Sequence, residues 1–83
     1  MYFISPDGQV GQEISRMHLA FYKEIIIISP DGSTLTLEFD TPDRAKDVIA
    51  FLHTYIARGD KSYDSQGKGS FDGLVGYKST TSH

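Results

Sequence analysis

Lys23-Glu24-Ile25-Ile26-Ile27-Ile28-Ser29-Pro30-Asp31-Gly32-Ser33-Thr34-Leu35-Thr36-Leu37-Glu38-Phe39-Asp40 is the stretch from which the fold is read. Ser-Pro-Asp-Gly at 29–32 suits a type I turn, with Pro at its first central position and Gly in the left-handed position that follows. This is the three-residue bulged hairpin connection. It predicts Ser29 opposite Ser33 and, counting back, pairs Ile27 with Leu35, Ile25 with Leu37 and Lys23 with Phe39. Strand side chains alternate, so Ile25, Ile27, Leu35, Leu37 and Phe39 share one face, the inner one. The opposite face pairs Ile28 with Thr34, Ile26 with Thr36 and Glu24 with Glu38. It is apolar at the turn end and doubly acidic at the far end.

Downstream, Thr41-Pro42-Asp43 is a helix start: Thr caps, Pro is tolerated at the first helical position, and Asp sits where the helix dipole favours an anion. Ala45, Val48, Ile49, Leu52 and Ile56 recur at helical spacing, flanked by Phe51 and Tyr55. Arg58-Gly59 then supplies a cation and a residue suited to the left-handed cap. The spacing predicts one helix over about 42–58. At about 1.5 Å per residue it runs as far as an eight-residue strand does at about 3.3 Å, so it can lie along the sheet.

Upstream, Ser5-Pro6-Asp7-Gly8 repeats the turn tetrapeptide, predicting a first hairpin with Ser5 opposite Gln9 and Ile4 opposite Val10. Between the hairpins, Met17, Leu19 and Phe21 alternate with His18, Ala20 and Tyr22, which reads as a strand over 11–22 running towards the central hairpin. Two other readings of this stretch stay open: a single helical turn capped by Ser15, or a tight turn at Tyr22-Lys23-Glu24 separating two shorter strands. The fold class is therefore α+β: a small antiparallel β-meander of four strands, with the C-terminal tail as the candidate for a fifth, packed against one helix. Residues 1–59 form the single β-β-β-β-α domain. After it the composition shifts, with ten Gly or Ser among residues 59–83. Residues 60–83 read as a partly disordered tail carrying one apolar island, Phe71 to Tyr77, with the pattern of a short strand that either folds back or orders on a partner.

Composition narrows function by exclusion. The chain has 83 residues, room for one domain with a modest core, and so suits a binding surface better than a deep catalytic cleft. It has no Cys, hence no disulfide, thiolate metal site or thiol nucleophile. Formal net charge is −3, and residues 1–40 carry six acids against two bases, Arg16 and Lys23. That half offers no basic cluster for a nucleic acid or an anionic membrane. The N-terminus lacks the basic start and apolar run of a signal peptide, so the expected location is cytoplasmic.

No catalytic, cofactor-binding or metal constellation emerges. His18, His53 and His83 have no metal-ligand spacing, and no nucleophile accompanies His53 on the helix. Gly67-Lys68-Gly69-Ser70 lacks the first Gly of a phosphate loop, since Ser62 stands there, and lacks the strand and helix that loop requires. The expected function is a non-catalytic protein-interaction module. Its candidate residues are Ile26, Ile28, Thr34, Thr36, Glu24 and Glu38, and its partner is either another protein or a second copy in a homodimer. The rival reading is a small-ligand or phosphate-binding domain with its site between sheet and helix.

Overall fold

A computed structural model describes residues 1–67 and 69–80. The architecture is α+β, with a four-stranded antiparallel sheet packed on one helix. The strands are β1 (Tyr2–Ile4), β2 (Gly11–Glu13), β3 (Arg16–Ala20), β4 (Glu24–Ile28) and β5 (Thr34–Phe39). Helix α1 (Pro42–Ala57) follows, then β6 (Ser62–Asp64), a 3-10 turn at Gly69–Phe71 and β7 (Leu74–Thr80). They form two sheets, ordered β2-β1-β6 and β3-β4-β5-β7.

The central hairpin has the register that its turn dictates: Ile27 pairs with Leu35, Ile25 with Leu37, Ile28 with Thr34, Ile26 with Thr36 and Glu24 with Glu38. Gly32 takes φ 90°, the Ser29 amide donates to the Ser33 carbonyl at 2.9 Å, and the Ser33 amide donates to Asp31 Oδ1 at 2.9 Å. The first hairpin is shifted by one residue from expectation, with Ile4 opposite Gly11 and the Ser5 amide bonded to the Val10 carbonyl. Its side chains set that longer loop. Asp7 Oδ1 accepts the Gln9 amide, while Ser5 Oγ accepts the Val10 amide, so Gln9 joins the turn and Val10 becomes the closing residue.

The expected strand over 11–22 is two strands on different sheets. Ile14 donates its amide to the Met1 carbonyl and Ser15 donates to Ile28, so the chain changes sheets between Glu13 and Arg16. Gln12 and Ile14 are buried, then Met17. That change of parity is a bend, the way strands turn corners between packed sheets. Buried polar groups lock the corner: Gln12 Nε2 donates to the carbonyls of Ile27 and Ser33, and Ser29 Oγ donates to that of Glu13.

Helix α1 starts where Thr41 Oγ1 accepts the Arg44 amide. It ends in a Schellman arrangement, Asp60 amide to Tyr55 carbonyl and Gly59 amide to Ile56 carbonyl, with Gly59 at φ 81°. Ala45, Val48 and Leu52 face the sheet, which supplies Met17, Ile25, Ile27, Leu35, Leu37 and Phe39.

Residues after Gly59, read above as a tail outside the domain, complete both sheets. β6 pairs parallel with β1, and β7 pairs antiparallel with β5 from Thr34–Thr80 to Phe39–Leu74. Phe71 sits between Phe3, Phe39 and Tyr63, with ring centroids 5.9, 6.3 and 6.1 Å away. The apolar island is therefore part of the core, and its strand runs past Tyr77 to Thr80.

Candidate functional site

On the outer face of the four-stranded sheet, opposite α1, the ladders bring all six expected interaction residues together. The rows extend across every strand: Arg16–Ile28–Thr34–Thr80, His18–Ile26–Thr36–Lys78 and Ala20–Glu24–Glu38–Gly76. Ile26, Ile28, Thr34, Thr36, Glu24 and Glu38 are each half-buried, as central-strand residues are when neighbouring side chains shield them but no further layer does. The acidic end is partly compensated, since Lys23 Nζ lies 3.8 Å from Glu38. The other two rows carry Arg16, His18 and Lys78 at their ends. The face is acidic at one end and basic along its flanks, so it does not select a basic partner alone.

Sequence reading missed these flanks because the partners of β4 and β5 across the sheet are set by the corner and by β7. The turn between β3 and β4 is the second alternative left open for residues 11–22, a tight turn between two shorter strands, and it falls one residue earlier, at Phe21-Tyr22-Lys23. Phe21 and Tyr22 adopt φ 52° and 70°, and the Lys23 amide donates to the Phe21 carbonyl at 2.9 Å. Two consecutive bulky side chains in the left-handed region are strained, and they are 79% and 86% exposed. Neither residue is one of the turn formers from which such a conformation is read in a sequence.

The space between sheet and helix, where the rival reading put a ligand, is filled by core side chains. A cleft of about 370 Å³ lies elsewhere, between the two hairpins, lined among others by Tyr2, Gly11, Glu13, Asp31 and Ser79. Its lining contains two carboxylates and no lysine or arginine. The Met1 ammonium is 2.9 Å from Glu13. Such a lining offers a phosphate no cationic side chain.

No group of three His, Asp or Glu among the described residues is placed to hold a metal ion. His18 and His53 are exposed on β3 and α1, and His83 and Lys68 lie outside the described residues. No helix among the described residues is long and apolar enough to cross a membrane.

One ionisable pair is perturbed. Asp7 accepts from Ser5 Oγ at 2.6 Å and from the Tyr77 hydroxyl at 2.5 Å, tying the first turn to β7. Hydrogen bonds from Ser5, Tyr77 and the Gln9 amide hold the Asp7 carboxyl below its ordinary range, while Asp7 pushes the Tyr77 phenol up. An acid whose pKa is lower in the folded chain stabilises the fold above its ordinary value, about 3.9 for aspartate, and loses that contribution as pH falls through the folded value. The denaturant midpoint of wild type is therefore expected to fall more between pH 7 and pH 3 than that of Asp7→Asn. Equal falls would show that the pair is not formed. Comparison of the chain with protein-family models, with curated proteins and with solved structures finds no match.

Proposed function

We propose that this chain is a non-catalytic protein-interaction module that binds through the outer face of its four-stranded sheet. The observation that carries this reading is the asymmetry of cover. α1 packs on one face, and Phe71 brings Phe3 and Tyr63 of the smaller sheet into the same interior, while Ile26 and Ile28 stay half-exposed on the other face beside Thr34 and Thr36. Two β-branched aliphatics beside two threonines make a flat surface that gains about 25 cal/mol per Å² of apolar area removed from water. The partner that fits carries an apolar strip with a base opposite Glu24 and acids opposite Arg16 and Lys78, and its binding weakens with salt.

Replacing Ile26 and Ile28 with Thr keeps strand propensity and removes the apolar strip. The double variant is expected to melt near the wild-type temperature and to lose at least about tenfold in affinity, about 1.4 kcal/mol, for each protein that the wild type captures and binds directly. A partner bound equally by both forms would exclude this face as the site.

A further inference from the structure

We propose that β3 pairs antiparallel with β3 of a second copy of this chain, on a two-fold axis through His18, joining two four-stranded sheets into one of eight. The pairing uses a sheet edge, so it stands independently of whether the outer face binds another protein.

β3 and β7 are the two ends of the sheet. The β7 edge is blunted: a register shift opposite Glu38 and Phe39 leaves Val75 outside the ladder, and the Tyr77 hydroxyl is held by the first turn. β3 is regular, paired with β4 at five successive positions without a bulge, and contains neither Pro nor Gly. Among the devices by which sheets protect their edges from pairing, β3 lacks bulges, prolines and inward-pointing charges, and its one charged side chain, Arg16, lies in the outer-face row with Ile28.

Backbone alternation sets the register. The Ser29 amide bonds Ser33 and the Phe39 amide bonds Lys23, so the odd-numbered residues of β4 serve β5, and Glu24, Ile26 and Ile28 serve β3. Arg16, His18 and Ala20 therefore spend their backbone groups on β4, while Met17 and Leu19 present theirs at the open edge. A copy centred on His18 joins Met17 to Leu19 of the second copy and Leu19 to Met17, four hydrogen bonds in all. Centring on Leu19 would require Phe21, which is in the strained turn. Centring on Met17 would require Ser15, whose amide already bonds Ile28.

This register complements charge. Arg16 faces Ala20 of the second copy, and the next residue in that row is Glu24. Ala20 is small enough for the guanidinium to reach across it. Glu38 has Lys23 at 3.8 Å, whereas Glu24 forms no ion pair among the described residues. The two-fold supplies this contact twice. On the inner face, Leu19, 36% exposed at the bare edge, meets Met17 of the second copy. Phe21 and Tyr22 stand just beyond the strand end, where they flank the second copy's Ser15. A contact of this size falls short of the standard interface of about 1,600 Å², so a dissociation constant of micromolar order is expected.

Sedimentation equilibrium of the full chain from about 1 µM to 1 mM tests this across the concentrations that such an affinity spans. Wild type is expected to dimerise. Arg16→Glu and Glu24→Arg are each expected to weaken the dimer at least about tenfold, the combined swap to restore it to within about threefold, and Leu19→Lys, an inward charge at the edge, to leave a monomer with a wild-type circular dichroism spectrum. Ile26→Thr with Ile28→Thr is expected to leave the dimer unchanged, which separates this edge from the outer face. A wild type that is monomeric at the highest concentration, a swap that fails to restore association, or a dimer lost on removing Ile26 and Ile28 instead would each overturn the proposal.

Discussion

Replacing Leu52 with alanine is expected to remove about 2 to 5 kcal/mol of stability. Leu52 is fully buried on the stripe that Ala45 and Val48 share, over a sheet face built from Ile25, Ile27, Leu35 and Leu37. Loss of its isobutyl group leaves a cavity walled by β-branched and leucine side chains held in place by two ladders, so the site has little freedom to collapse and the cost belongs in the upper half of that range. Domains of this kind have about 5 to 15 kcal/mol in total. The urea midpoint should therefore fall sharply with the slope unchanged. An unchanged midpoint would mean that α1 does not pack on the sheet as described.

Ending the chain after Ser70 is expected to have a larger effect still, because it removes both β7 and Phe71. β7 contributes six paired positions along β5, without which β5 becomes an open edge. Phe71, 4% exposed, is the ring through which Phe3 and Tyr63 of the smaller sheet reach Phe39 of the larger one. Phe71→Ala alone is expected to cost about 3 to 5 kcal/mol. The truncated chain should lose its near-ultraviolet circular dichroism and its cooperative melting, as a compact chain without fixed packing does. In the full chain, amides of 74–80 that bond β5 should exchange slowly, in step with those of β4. A truncated chain that melts at the wild-type temperature would show that the C-terminal segment is not docked.

Legibility of the fold follows the range of the interactions that specify each part. The central hairpin and the limits of α1 were readable because each is determined within a few residues: the turn at Ser29-Pro30-Asp31-Gly32 closes directly on Ser33, that closure sets the register of the strands on either side, and Thr41 with Gly59 marks where helical hydrogen bonds stop. The six outer-face residues were readable for the same reason, since their pairing follows from that register. The first hairpin has the same tetrapeptide and a different loop, because Ser5 and Asp7 hold Gln9 inside the turn and Asp7 is itself held from the far end of the chain by Tyr77. A local rule cannot contain a contact 70 residues away.

The sequence by itself determined one hairpin register, one helix and the alternation that divides a buried face from an outer one, all set by local sterics, capping and periodicity. Tertiary structure alone decided that the strands divide between two sheets at Ile14-Ser15, that a Gly- and Ser-rich segment closes both of them, and that Arg16, His18 and Lys78 border the outer face. Those outcomes rest on pairing between distant segments, where the free energy comes from burying Phe71 and from satisfying Gln12 and Ser29 inside the corner. None of that chemistry exists until the chain has closed on itself.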